Sequence, residues 1–338
     1  MLSEFDLIKQ YFVRRPPDLP PNTPTNAPPN APPGRTVLGI GDDCALLAPA
    51  PGRQLAVSSD MLVEGRHFFA GADPFALGHK CLAVNLSDLA AMGAAPLGFT
   101  LALALPAADP NWLAGFSRGL FALADAHGCE LVGGDTTKGP LNVCITIFGD
   151  IAPGRALRRD AARPGDDVWI SGTLGDARLA LAHYLGEVRL DAPSLALAAP
   201  RMHAPTPRVA LGRLLADGGL AHAALDISDG LAGDIAHILA ASGVGAVLDV
   251  DALPAGPALA RQPQALRRRF TAAGGDDYEL CFTAPVSQRD AIAAAGTQCG
   301  VPVTRVGAIT AEPGLRWVDA DEKSLDLALQ GWDHFTNG

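Results

Sequence analysis

The sequence predicts two domains that mix helix and strand, an N-terminal α/β unit over residues 1–152 and a C-terminal α+β unit over residues 153–338. Three observations predict this. The 338 residues suffice for about two cores of ordinary size. Short apolar runs alternate with helix-length amphipathic runs along nearly the whole chain. A basic stretch closed by prolines, residues 153–164, interrupts that alternation near the middle and reads as the connection.

Residues 3–13 have the spacing of a short amphipathic helix, with Phe5, Ile8 and Phe12 on one side. Residues 15–34 are a proline- and asparagine-rich tract that cannot pack a core and reads as a mobile polyproline-like loop. A strand at 36–40 runs into GIGDDC (39–44), and a second at 55–59 delivers Asp60 at its end, beside Ser58 and Ser59. Residues 74–92 form a helix, with Asp73 as N-cap and Gly93 as stop. Asn85 and Asp88 share a face of it amid Leu, Ala, Val and Met, where a carboxylate is costly unless a cation or donor meets it. A helix from Asp109 to Gly128 leads to a strand at 129–132, a turn GGDTT (133–137), and a further strand at 141–148, giving a β-α-β unit plus a hairpin.

In the connection, Arg158 and Arg159 are candidates for meeting phosphates through their forked donors, or solvated linker charges. Beyond it come a strand at 167–172, a helix opened by GTLGDA (172–177) and a helix at 208–216. The turn ALDISDG (224–230) then leads into an apolar helix for which Ser228 or Asp229 is also a fair N-cap. A strand at 246–250, a helix around 260–270, the turn GGDDYE (274–279) and a strand at 279–283 follow, and GWDHF (331–335) puts an aromatic near the end.

A net charge of −10 argues against nucleic acid or anionic membrane as a main partner. The N-terminus lacks a basic region followed by an apolar one, so a secretory signal is not expected. The uncharged span 89–108 is broken by Gly93, Pro96, Gly98 and Pro106, which argues against a membrane helix. The six cysteines lack C-x-x-C spacing; most read as buried small hydrophobes, which excludes zinc-ribbon and thioredoxin-like chemistry and suits a reducing cytoplasm. Neither the P-loop nor the dinucleotide glycine pattern occurs.

What remains is recurrence. One Asp in a glycine turn ordinarily bonds its own backbone. Aspartates recurring at 42–43, 60, 88, 135, 226–229 and 276–277, without thiol or imidazole ligands, suit several Mg²⁺ ions gathered around a polyphosphate. His67, shortly after Asp60, is the one histidine beside this array.

In this order and over nearly the whole chain, GIGDDCALL, SSD with GRHF, NLSDLAAMGA, GGDTT, DISDGL, GGDDYELCF and GWDHF resemble the thiamine-monophosphate kinase family. That family lies within the ATP-binding superfamily of aminoimidazole ribonucleotide synthetase. The resemblance implies a homodimer paired through N-terminal domains, with ATP and several Mg²⁺ ions at the N-terminal and interdomain surface. It also implies transfer of phosphate from ATP to thiamine monophosphate. Residue by residue, Asp43, Ser58, Ser59, Asp60, Asp88, Asp135, Asp226 and Asp229 look like Mg²⁺ ligands, among which Asp60, Asp88 and Asp135 would clamp the reacting phosphates. Gly134, Asp135, Arg159 and Ser228 look like ATP contacts, and His67, Asp276 and Trp332 like substrate contacts. Two departures stand out: the proline-rich insertion is longer than usual, and Asp276 replaces a common Glu. Another superfamily reaction with a different acceptor, or a non-catalytic nucleotide-binding regulator, are the rival readings.

Overall fold

The computed structural model describes residues 4–14, 35–40 and 44–327. The proline-rich tract, Asp42, Asp43 and Trp332 lie outside the described residues. The chain divides into two compact units, one of Met1–Leu89 with Ala94–Gly154 and one of Ala90–Gly93 with Arg155–Gly338.

The N-terminal unit is built on a four-stranded sheet in the order β3-β6-β4-β5. Its elements are α1 (Glu4–Tyr11), β1 (Thr36–Leu38), β2 (Leu46–Leu47), β3 (Gln54–Val63), α2 (Pro74–Met92), β4 (Ala95–Leu105), α3 (Pro110–His127), β5 (Glu130–Lys138) and β6 (Asn142–Ile151). Asp73 and Asp109 cap α2 and α3, accepting from the amides of Ala76 and Asn111 at 2.9 and 2.8 Å. The two helices touch backbone to backbone. A Cβ on Gly78 would lie 2.1 Å from the Phe116 carbonyl oxygen, and one on Gly119 would lie 1.9 Å from that of Phe75.

Three expectations are corrected in this unit. Asp60 is not at a strand end: β3 pairs with β6 in unbroken register from Gln54 to Val63, because the apolar run Met61, Leu62 and Val63 carries the strand on past it and buries Leu62. The GGDTT segment is not a turn but the middle of β5, parallel to β4. Nor do β5 and β6 form a hairpin, since β6 lies between β3 and β4, where its alternating Val143, Ile145 and Ile147 bury one face.

The C-terminal unit carries a seven-stranded sheet, β13-β12-β9-β11-β7-β10-β8, in which only β12 and β9 run parallel. Its elements are β7 (Asp167–Ser171), α4 (Asp176–Tyr184), α5 (Ala192–His203), α6 (Val209–Asp217), β8 (Ala223–Asp226), α7 (Leu231–Ser242), β9 (Gly245–Asp249), α8 (Gln264–Ala273), β10 (Leu280–Ala284), α9 (Arg289–Cys299), β11 (Val303–Thr310), β12 (Gly314–Val318) and β13 (Ser324–Leu325). Ile235 and Ile238 of α7 share a core with Val168, Ile170, Leu225 and Leu248. A second core joins α4 and α5 to Leu259 and Phe270.

Antiparallel pairing sets Leu280 opposite Asp226, so the loop after β8 and the loop before β10 lie side by side. Ser228 and Asp229 are not the N-cap of α7. That position is Gly230, and Asp234 of the first turn reaches back to accept from the amides of both Ser228 and Asp229 at 3.1 Å. Of the cysteines, Cys81, Cys129 and Cys281 are buried, Cys144 and Cys299 are partly so, and Cys44 is exposed. Among the described residues, no helix is long and apolar enough to cross a membrane.

Candidate active site

In the N-terminal unit the oxygen donors fall on two faces of one sheet. Ser58 and Asp60, two residues apart on β3, share a face, and the Ser58 hydroxyl donates to Asp88 of α2. A hydroxyl-carboxylate pair at a strand-helix seam is a hard-oxygen arrangement that suits a divalent cation of the Mg²⁺ kind. Ser59 faces the other way: its hydroxyl bonds the carbonyl of Ile145 at 3.2 Å and meets Thr146 Oγ1 at 2.9 Å. One strand position apart, Ser58 and Ser59 present their hydroxyls on opposite faces of the sheet.

Asp135 is likewise out of step with Asp60. Register carries Asp60 through Ile145 and Leu101 to Gly134, whereas Met61 aligns through Cys144 and Ala102 with Asp135. The expected three-carboxylate clamp is therefore not gathered on one face, and among the described residues no group of three His, Cys, Asp or Glu side chains could hold a metal.

Asp135 borders a cavity of about 470 Å³ instead. Gly133, Gly134 and Thr136 of β5 line it with Asp135, Phe148 and Leu55 add apolar surface, and Ile8 of α1 and Phe12 just after it close one side. Gly134 has φ 148°, and a Cβ there would sit 1.9 Å from the Leu101 carbonyl oxygen, so the strand keeps its path only with glycine. His67 stands in the turn after β3, where its Nδ1 accepts from the Val63 amide at 3.0 Å. In a neutral imidazole this leaves the ring hydrogen on Nε2.

In the C-terminal unit, Asp226 and Asp229 flank Ser228 at the end of β8. Burial first, then the negative charges of Asp229 and Asp226, push the Asp234 carboxyl up to about 7. Asp226 and Asp229 are thus near enough to raise Asp234, although among the described residues these three carboxyl groups are not gathered closely enough to hold one metal ion. Arg158 is spent on Asp160, its Nε 2.9 Å from Oδ1, whereas Arg159 is exposed and offers its carbonyl to Ser242 Oγ at 2.8 Å.

Beside this loop is a cluster that motif reasoning missed. The Glu279 carboxylate is fully buried and accepts from Arg208 Nε at 2.6 Å, Arg201 Nη2 at 2.7 Å and Ser171 Oγ at 2.7 Å. Asp277 is buried next to it, its Oδ1 accepting from the Gly175 amide at 2.8 Å, and burial drives its carboxyl well above the usual range. An acid directly before the apolar run LCF was the available signal, since a carboxylate entering a buried strand demands a cationic partner.

Residues 41–151 match the family model described as AIR synthase related protein, N-terminal domain, and residues 163–319 match its C-terminal domain. The thiamine-monophosphate kinase of Salmonella typhimurium is 47% identical over 302 residues, which covers 88% of this chain and 91% of that one. The chain belongs to the thiamine-monophosphate kinase family. The crystal structure of the family's Stenotrophomonas maltophilia member superposes with a TM-score of 0.80 at 46% identity, over 86% of this chain and 92% of that one. A further family structure, AaThiL complexed with AMPPCP and TMP, superposes at 0.73 and 29% identity, over 85% and 89%.

Proposed function

We propose that this chain phosphorylates thiamine monophosphate to thiamine diphosphate with ATP as donor, the final step in making that coenzyme. The observation that carries this reading is the 47% identity to a kinase of that name across 88% of the chain. The donor chemistry supports it. Phosphoryl transfer asks chiefly for positioning and charge neutralisation, which oxygen-ligated Mg²⁺ supplies when bound.

The residues present suit that ion. Asp60 and Asp88 with Ser58 on one sheet face, Asp135 on the cavity side, Asp226 and Asp229 after β8, and Asp43 would hold separate Mg²⁺ ions; the Ser59 side chain has no part in the group around Ser58. Gly134, Ser228 and Arg159 contact ATP, whose base and ribose suit the apolar cavity bordered by Gly134 and Asp135 in size and lining. The acceptor phosphate is already anionic at neutral pH, so direct transfer requires neither a general base nor a phosphoenzyme. His67 donates to the substrate from Nε2, and Asp276 with the Trp332 face meets the thiazolium cation.

The active form we propose is a homodimer in the cytoplasm, its N-terminal domain (residues 1–152) holding the nucleotide and pairing the copies. Leu55, Val57 and Met61 project from β3 with about half of their surface in contact with water, an uncovered apolar row that a second copy would bury. Six free thiols are consistent with a reducing compartment.

A coupled ADP-release assay with MgATP, with and without thiamine monophosphate, tests the reaction when the product is identified by chromatography. ADP and thiamine diphosphate should form one to one; ATP binding without turnover of this acceptor would overturn it. Full Mg²⁺-dependent turnover in Asp88→Asn or Asp135→Asn would refute the ligand assignment. An unchanged KM for thiamine monophosphate in Trp332→Ala would refute the aromatic contact.

A further inference from the structure

The loop between α8 and β10 has a strained backbone. Asp276 and Tyr278 lie in the left-handed region at φ 66° and 50°, a conformation that costs an ordinary side chain on the order of 1 kcal/mol or more. Two L-residues placed this way around a single intervening residue persist only when their surroundings impose it.

Those surroundings can be named. The Asp276 and Tyr278 amides donate to the carbonyls of Ser228 and Ile227, each at 2.8 Å, so the outer residues are tied to the loop after β8. The residue between them turns inward: the Asp277 side chain, 1% exposed, takes the Gly175 amide. The Asp277 carbonyl accepts from Arg201 Nη2 at 2.9 Å, and the same nitrogen donates to Glu279 Oε1 at 2.7 Å. On the outer side, the Tyr278 hydroxyl reaches Asp276 Oδ1 at 3.2 Å.

We propose that Arg201 is a positioning residue for substrate recognition. By clamping the Asp277 carbonyl it holds the two left-handed residues in place, and so fixes the Asp276 carboxylate relative to Ser228 and Asp229. This rests on the reading of Asp276 as a substrate contact. Arg208 provides the contrast, because it grips the same Glu279 carboxylate through Nε and Nη2 and has no bond to Asp277. A role in stability alone predicts equal consequences for the two arginines; positioning predicts a difference. Both bonds come from the one Nη2 atom of a rigid guanidinium; lysine retains the charge opposite Glu279, but its shorter, freely rotating ammonium is not held where it meets the Asp277 carbonyl as well.

The test is steady-state kinetics of full-length Arg201→Lys, Arg208→Lys and Asp276→Asn, alongside thermal unfolding of each. Arg201→Lys should raise the KM for thiamine monophosphate about tenfold, the equivalent of about 1.4 kcal/mol, and leave the KM for MgATP within about twofold. Arg208→Lys should lower the unfolding temperature comparably with neither KM shifted. Unchanged KM values in Arg201→Lys, or the same acceptor KM rise in Arg208→Lys, overturn the positioning role while leaving the function intact. An unchanged acceptor KM in Asp276→Asn overturns the positioning role together with the assignment of Asp276. Absence of turnover with thiamine monophosphate in the parent enzyme overturns the functional reading itself.

Discussion

Replacing Glu279 by alanine should cost the C-terminal unit about 3 kcal/mol. The carboxylate is fully buried, and three donors converge on it from β7, α5 and the segment just before α6. Removing one partner of a buried ion pair costs about 3–5 kcal/mol, because the charges left behind keep their desolvation penalty. Here the two guanidiniums left behind retain 18% and 14% side-chain exposure, so water recovers part of the loss and the low end applies. At about 2–4 °C per kcal/mol for a unit of this size, the unfolding midpoint should fall by about 6–12 °C. Glu279→Gln keeps the volume and one acceptor oxygen and should lose about half as much. The assay is far-UV circular dichroism of thermal unfolding for the midpoint shift and of urea unfolding for the free energy, the urea midpoints being compared at unchanged slope. A loss below about 1 kcal/mol in Glu279→Ala would mean that the two arginines are solvated enough to stand alone, and the reasoning from burial would fail.

Gly134→Ala should destabilise the N-terminal unit by about 3 kcal/mol or more and abolish tight MgATP binding, since the new Cβ meets the Leu101 carbonyl oxygen at 1.9 Å. Gly133→Ala, whose Cβ would meet only Thr100 Cγ2 at 3.7 Å, is the matched control and should cost under about 1 kcal/mol in the same thermal and calorimetric measurements. Ser58→Ala removes the hydroxyl that donates to Asp88, and should raise the Mg²⁺ concentration for half-maximal turnover about fivefold or more, read from a metal titration at saturating ATP. Arg268, hydrogen-bonded to Asp251, holds that carboxyl down at about 2, against 3.8 ordinarily. A depressed folded-state value stabilises above the unfolded value and is lost as pH falls through the folded one. Arg268→Met should therefore cost at most about 1 kcal/mol at pH 7 after allowance for solvent screening, and the difference from the parent should close between about pH 4 and 2 in urea titrations.

Much of this molecule was legible in its residues because local signals and burial agreed. Asp73 and Asp109 announced α2 and α3, and the apolar periodicity of 74–92 belongs to a helix buried along most of its length. The errors arose where pairing partners, invisible to local pattern, decided the outcome. Glycines in GGDTT suggested a turn, yet Gly134 serves close approach to β4 within a strand. Ser58 and Ser59 are neighbours in sequence, but strand alternation separates their side chains onto opposite faces. Ser228 and Asp229 had the chemistry of caps, and Asp234 took that role from inside the helix. Arg201, Arg208 and Glu279, 71 and 78 residues apart, met only through the fold.

The glycine contact between α2 and α3 bears on how this sequence can drift. Gly78 and Gly119 each approach a backbone oxygen of the opposite helix to within 2.1 and 1.9 Å of where a methyl would stand, and backbone cannot step aside as a side chain tip can. Leu82 or Leu120 can exchange with Met at modest cost, since volume is conserved. The two glycines admit no such exchange, even for alanine, without prising the helices apart. In a saturation library these positions would read as invariant while the leucines around them vary, an invariance that reflects the spacing of two helices and has no bearing on the chemistry.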